Sequence, residues 1–211
     1  MSIELSILDW FQTLHTPVLD KVMVFITKFG NAGILWIVLT VLFLLIPKTR
    51  KAGAAMAAAL IIDLLLCNVV LKNLVARTRP YDVNTGIQLL VAKLHDYSFP
   101  SGHTAASFAS VAALYFAGEK KLWKPVLVAA CLIAVSRLYL YVHYPTDVLG
   151  GMVVGLVSGY LGYRFVKFVE SKNSGTGKKR GEQDEHRKYH FHRTPVDDFQ
   201  IPGIIDSHYD Q

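Results

Sequence analysis

Three short polar clusters interrupt an otherwise apolar chain, and together they hold the residues of this sequence best suited to chemistry. In KNLVARTRP (72–80), Lys72 and Arg79 stand seven residues apart, which on a helix is within about 20° of one face. Asn68, one turn before Lys72, shares that face, and Pro80 is expected to stop the helix just beyond. In FPSGH (99–103), Pro100 fixes the chain's approach, Ser101 and Thr104 are good helix starters, and Gly102 lets backbone come close to a ligand. A helix start presents unpaired N–H groups and the positive end of a dipole, and so attracts an anion. In SRLYLYVHYPTD (136–147), Ser136 and Arg137 approach the end of one helix, His143 lies at the corner where Pro145 begins the next, and Asp147 sits in its first turn. From there the carboxylate can reach back to one imidazole nitrogen of His143, leaving the other free as nucleophile or base.

The sum is three cations (Lys72, Arg79, Arg137), two histidines (His103, His143), one carboxylate (Asp147) and a set of helix-start amides. Such a set suits a group with several anionic oxygens, which points to phosphate. Arginine brings planar paired donors and lysine a point charge, so the three cations could neutralise a phosphoryl group in flight. Two histidines can divide the labour, one attacking phosphorus and the other protonating the leaving oxygen. Taken singly, each cluster also suits a structural role: cationic side chains snorkelling to headgroups, a capped helix with an interfacial His, or a His–Asp bond at a helix corner. Their coincidence favours the chemical reading.

The frame that must position them is a membrane one. Of 211 residues 52% are hydrophobic, and the mean hydropathy of +0.34 is high for a soluble domain. The apolar residues gather into five blocks, about 31–46, 52–71, 103–117, 125–142 and 147–169, near the length a helix needs to cross a bilayer. Short basic links stay on the cytoplasmic side, which places PKTRK (47–51), GEKKLWK (118–124) and the end after Phe165 inside. Loop 81–100 and the HYPTD corner (143–147) then share the outer face, and all three polar clusters with them. Lys72, Arg77 and Arg79 run against the positive-inside rule there, a placement that suits function better than topology.

Residues 5–28 mix apolar and polar residues at helical spacing around Pro17, and are expected to form an interfacial amphipathic helix or a sixth crossing. They lack the pattern of a cleaved signal peptide. From about Ser171 the composition turns to mixed charge and glycine, so 171–211 is expected as a flexible, polar cytoplasmic tail behind a membrane domain at 1–170. The tail's His186, His190, His192 and His208 are irregularly spaced and read as solvated residues rather than metal ligands. Cys67 and Cys131 fall inside expected spans, where a small apolar role is usual. The net charge of +6 is spread over flanks and site, which gives no footprint for nucleic acid. The expected fold is all-α, a polytopic integral membrane helix bundle with five clear spans plus the N-terminal helix.

As an ordered set the clusters resemble the type 2 phosphatidic acid phosphatase superfamily of membrane lipid phosphatases. Its signatures are a Lys separated by six residues from Arg-Pro, a Pro-Ser-Gly-His run, and Ser-Arg followed by His and then Asp; 72–80, 100–103 and 136–147 depart from none of them. Among bacterial members the chain is most similar to phosphatidylglycerophosphatase B-like proteins, over about residues 30–170. The resemblance implies His143 as the nucleophile that forms a phosphohistidine, Asp147 orienting it, and His103 as acid and then base. It implies Lys72, Arg79, Ser101, Gly102 and Arg137 as holders of the phosphate oxygens, a six-helix bundle and no metal. No acidic cluster of the kind Mg²⁺ requires is visible in the sequence either. The expected partners are the bilayer and a phosphorylated lipid, phosphatidylglycerophosphate first, with undecaprenyl pyrophosphate as the alternative and a non-hydrolytic anion-binding or transport protein as a distant one. Asp63, nine residues before Lys72, is expected on the opposite helix face as a structural carboxylate.

Overall fold

The computed structural model describes residues 3–191, with side chains described for 3–173, and among the described residues every regular element is helical. The chain divides into two compact units, Met1–Val169 and Glu170–Gln211. Helix α1 (Ile3–Gln12) is followed by α2 (Pro17–Gly30), whose first turn is capped by the Thr16 hydroxyl accepting the Leu19 N–H at 3.2 Å. A short turn at Asn31–Gly33, with Ala32 (φ 49°) and Gly33 (φ 67°) in the left-handed region, kinks the chain between α2 and α3 (Ile34–Leu45). Residues 17–28, expected as part of an N-terminal interfacial helix or a sixth crossing, lie in the stretch Pro17–Leu45 that is long and apolar enough to cross a membrane.

Among the described residues three runs are long and apolar enough to cross a membrane: Pro17–Leu45, Arg50–Val83 and Pro145–Asn173. The blocks at 103–117 and 125–142 also form helices, α7 (Gly102–Phe116) and α8 (Trp123–Tyr139), but with only 15 and 17 residues. Helix α7 is the central one. Ten of its fifteen residues are buried, and it packs against α4 (Arg50–Asp63) and α8. Trp36 of α3 is wholly buried beside it and donates its indole N–H to Ser107 Oγ at 3.1 Å. On the outside, Leu149, Val153, Val157 and Phe165 are about half exposed, the apolar surface that hydrocarbon covers without cost.

The last helix, α9 (Pro145–Phe191), continues through residues 171–191 that composition assigns to the tail. His192 and His208 lie outside the described residues. Gly151, Gly155 and Gly159 form a stripe on α9 at spacings of four, where a Cβ would collide with Ser101, Ala105 and Ala109 of α7 or its cap. Small residues in that register let two helix backbones touch, which in lipid replaces the hydrophobic drive available in water.

The run Arg50–Val83 is not a uniform helix. After α4 come a π-helix at Leu64–Leu71 and a single α-turn, α5 (Lys72–Val75), ended by Ala76 in the left-handed region at φ 48°. The chain restarts at α6 (Pro80–Val83), with Arg79 as its cap residue. The expected single face for Lys72 and Arg79 is thus corrected: the helix stops at Val75, four residues early, and Pro80 opens a helix rather than closing one. The expectation that Asp63 lies opposite Lys72 fails as well. Nine residues at 100° each end half a turn apart, whereas at the roughly 82° of a π-helix they complete about two full turns. Both side chains accordingly line one cavity.

Replacing Gly155 by Leu is expected to wedge α9 from α7 and to cost about 2 kcal/mol or more through overpacking. A thermal melt in detergent checks this: the midpoint should fall for Gly155→Leu and stay near wild type for Leu156→Ala, whose side chain is 42% exposed.

Candidate active site

At one end of the bundle the three clusters meet. Lys72 and Arg79 are both buried, at 7% and 2% exposure, and they are joined by a carboxylate absent from the expected set, Asp96. One Asp96 oxygen pairs with Lys72 Nζ and the other accepts from Arg79 Nη2 at 2.6 Å, while the Asp96 carbonyl accepts from Arg79 Nε at 2.8 Å. Burial opposes its charge, but the bonds and charges of Lys72 and Arg79 outweigh that and hold the carboxyl down at about 2. It is an anion at any working pH. A carboxylate bridging two cations occupies the kind of seat that phosphate oxygens take.

His143 is reached through a helix ending of the Schellman type. Helix α8 closes with Tyr141 in the left-handed region at φ 59°, its N–H donating to Leu138 O and the Val142 N–H to Arg137 O. Tyr141 is held in that conformation from outside, donating to Asp9 Oδ1 at 2.7 Å and accepting from Asn84 Nδ2 at 3.0 Å. The turn sends His143 inward to 1% exposure. Its Nε2 lies 3.4 Å from Arg79 Nη1, and because arginine only donates, Nε2 carries the lone pair. The proton is then on Nδ1, 3.5 Å from Asp147 Oδ2. That separation is longer than a good hydrogen bond, and Nδ1 has no bonded partner among the described residues. Burial pushes the His143 imidazole down to about 3, with Asp147 opposing and Arg137 and Arg79 adding to the shift. It is a neutral imidazole with an available nitrogen facing the cations.

Asp147 is held on both of its oxygens. Its Oδ1 accepts from Arg77 Nη1 at 2.7 Å, and its Oδ2 accepts from the Tyr144 N–H at 2.8 Å and from the Ser98 hydroxyl. Arg77 also bonds Thr146 and Glu4, which ties α1 to the start of α9. At Glu4 burial opposes ionisation, but Thr146 and Arg77 outweigh it and lower the carboxyl. Arg77, Ser98 and Asp96 are missing from the set expected from sequence. Arg77 carried a signal, its charge on the wrong side for topology; Ser98 and Asp96 carried none.

The other expected residues also gather here. Ser101 caps α7, accepting from Thr104 Oγ1 at 3.0 Å, and its N–H goes to Asp147 O at 3.0 Å, so what it offers an anion is its O–H. Gly102 lies against Lys72, where a Cβ would stand 3.7 Å from Nζ and 3.1 Å from Asn68 Oδ1. His103 Nε2 pairs with Asn31 Oδ1 at 3.0 Å. Arg137 donates to Thr27 Oγ1 at 2.6 Å, while its buried Nε has no partner among the described residues. A cavity of about 660 Å³ starts at Lys72, Gly102 and His103 and runs between α3 and α4 along Ile37, Val41, Leu60 and Leu64. With Lys72 and His103 at one end and apolar walls behind them, it can hold a phosphate whose organic part is hydrocarbon.

Fold and site define a membrane-embedded helical protein built around an anion. The sequence profile of the PAP2 superfamily matches residues 48–170, and the chain belongs to that superfamily. It is a membrane lipid phosphatase. Its relatives include an undecaprenyl-diphosphatase of Sulfolobus acidocaldarius, 34% identical over 65% of this chain and 66% of that protein. The undecaprenyl-diphosphatase BcrC of Bacillus subtilis is 34% identical over 72% of this chain and 77% of its own. A PAP2 type phosphatidylglycerolphosphate phosphatase crystal structure from Bacillus subtilis superposes with a TM-score of 0.63 at 31% identity, covering 80% of this chain and 85% of that one.

Because Asp96 and an incoming anion compete for the same two cations, Asp96→Asn should tighten inhibition by orthovanadate about tenfold, the worth of one charge-assisted bond. Steady-state inhibition constants read this directly. An unchanged or weaker constant in a variant with wild-type melting behaviour would show that Asp96 does not compete.

Proposed function

We propose that the chain hydrolyses the phosphomonoester of a membrane phospholipid through a phosphohistidine at His143, without a metal. The observation that carries this reading is the neutral His143 with Nε2 beside Arg79 and Nδ1 toward Asp147. In the first half-reaction Nε2 attacks phosphorus, Lys72, Arg79, Ser101, Gly102 and Arg137 hold the equatorial oxygens, and His103 gives a proton to the leaving lipid alkoxide. In the second, His103 takes a proton from water, the water oxygen attacks the phosphohistidine, and inorganic phosphate leaves with Nε2 restored. Asp147 stabilises the positive charge that His143 acquires in both halves.

Phosphatidylglycerophosphate is the substrate proposed first, since its terminal monoester projects from a lipid whose acyl chains stay in the bilayer. Undecaprenyl diphosphate is the second reading, favoured by the two relatives of that activity at 34% identity. The site is assigned to the outer face of the cell membrane, and the chain beyond residue 170 to the cytoplasmic side, by the distribution of basic links. The bundle then makes five or six crossings, the short α7 and α8 among them as buried partners of the three long runs.

Purified protein should release inorganic phosphate from phosphatidylglycerophosphate in EDTA, and His143→Ala should lower kcat by at least ~1000-fold while melting like wild type. Activity retained in the variant, or lost on chelation and restored by Zn²⁺, contradicts the mechanism.

A further inference from the structure

Asp63 is a buried carboxyl that the chemistry above does not use. It is 3% exposed, and its Oδ1 has no hydrogen-bond partner among the described residues. In water such a group would be solvated; inside a membrane bundle an unpaired carboxyl is costly and marks a function. The π-helix at Leu64–Leu71 turns it into the cavity that holds Lys72, Asn68, Gly102 and His103. Segments of π-helix are themselves rare and concentrate at functional sites.

The position along the cavity says what Asp63 meets. Lys72 and Gly102 mark the phosphate end, and Asp63 lies two helical turns further into the bundle, where the walls become Ala57, Leu60, Ile61 and Leu64. A lipid with its phosphate at Lys72 lays its next atoms past Asp63 and its chains along α3 and α4. In a glycerophospholipid those next atoms carry ester and hydroxyl oxygens. A carboxylate accepts from a hydroxyl, and a carboxylic acid donates to an ester carbonyl. A polyprenyl phosphate presents hydrocarbon at that depth and leaves the carboxyl unpaired.

We infer that Asp63 is a specificity-determining residue, bonding the polar group that follows the phosphate, and that it directs the enzyme to lipids with an ester or hydroxyl there over prenyl phosphates. The inference rests on the lipid phosphatase reading of the same site. A site that bonds a substrate oxygen discriminates strongly against an analogue lacking it, because its own polar group is otherwise stranded.

The test compares kcat/KM for phosphatidic acid and farnesyl phosphate in one detergent, for wild type, Asp63→Leu and Asp63→Asn, with orthovanadate inhibition and melting temperature as checks on the phosphate end and the fold. Asp63→Leu should lose about tenfold or more on phosphatidic acid, mainly through KM, and change less than about twofold on farnesyl phosphate, with vanadate inhibition unchanged. Asp63→Asn keeps a donor and an acceptor and should fall between; it also serves if the Leu variant does not fold. Equal losses on both substrates, or no loss on either, overturn the inference while leaving the phosphatase reading intact. Failure of the wild type to release phosphate from either lipid overturns that reading itself.

Discussion

Two cations cannot share a water-poor chamber without an anion between them, and the arrangement of Lys72, Asp96 and Arg79 answers that constraint. Both side chains are almost wholly buried, where an unpaired charge costs several kcal/mol. Asp96 supplies the balancing charge from a loop, half exposed and therefore exchangeable. The rest of the site is arranged around that seat. Ala76 breaks the helix so that Arg79 can turn back over Lys72, and the carbonyls of Val142 and Asp96 fix its guanidinium at 2.8 Å each. Once Arg79 is fixed, His143 is presented to the same seat with a defined tautomer.

The supports beyond the site serve rigidity. Asp147 takes hydrogen bonds from Arg77, Ser98 and the Tyr144 N–H, so the carboxylate facing His143 is held from three sides. Arg77 passes that constraint to α1 through Glu4, and Tyr141 passes the His143 turn to the same helix through Asp9. The N-terminal helix is thereby a brace for the end of the bundle where the three clusters meet. Helix α7 brings Ser101, Gly102 and His103 close because glycines on α9 let the two backbones touch. The half-exposed charge at Asp96 sits on a frame held by buried hydrogen bonds.

Much of this was legible in the sequence, and the exceptions share a cause. The clusters at 72–80, 100–103 and 136–147 announce an anion because their side-chain types permit little else in combination, and the structure brings them together. The route was misread in one place: Lys72 and Arg79 meet through a helix break at Ala76, not through a shared helical face. Asp63 was misplaced because LLLCNVVL has no periodicity to reveal a π-helix, and the angle per residue decides which face a side chain takes. Asp96 and Ser98 were silent because a loop residue's partner is set by how the loop folds back over the bundle. The boundaries of α7 and α8 lie close to the expected blocks, yet their length and burial are properties of the assembled bundle that a hydropathy pattern does not carry.

The claim that one seat serves Asp96 and phosphate in turn, with His143 facing it, is tested most directly by a structure of the protein with orthovanadate. Vanadium bonded to His143 Nε2, its oxygens on Lys72 and Arg79 and the Asp96 carboxylate displaced, is the result expected here. Vanadate bound elsewhere, or Asp96 still bridging the two cations with vanadate bound, would contradict it.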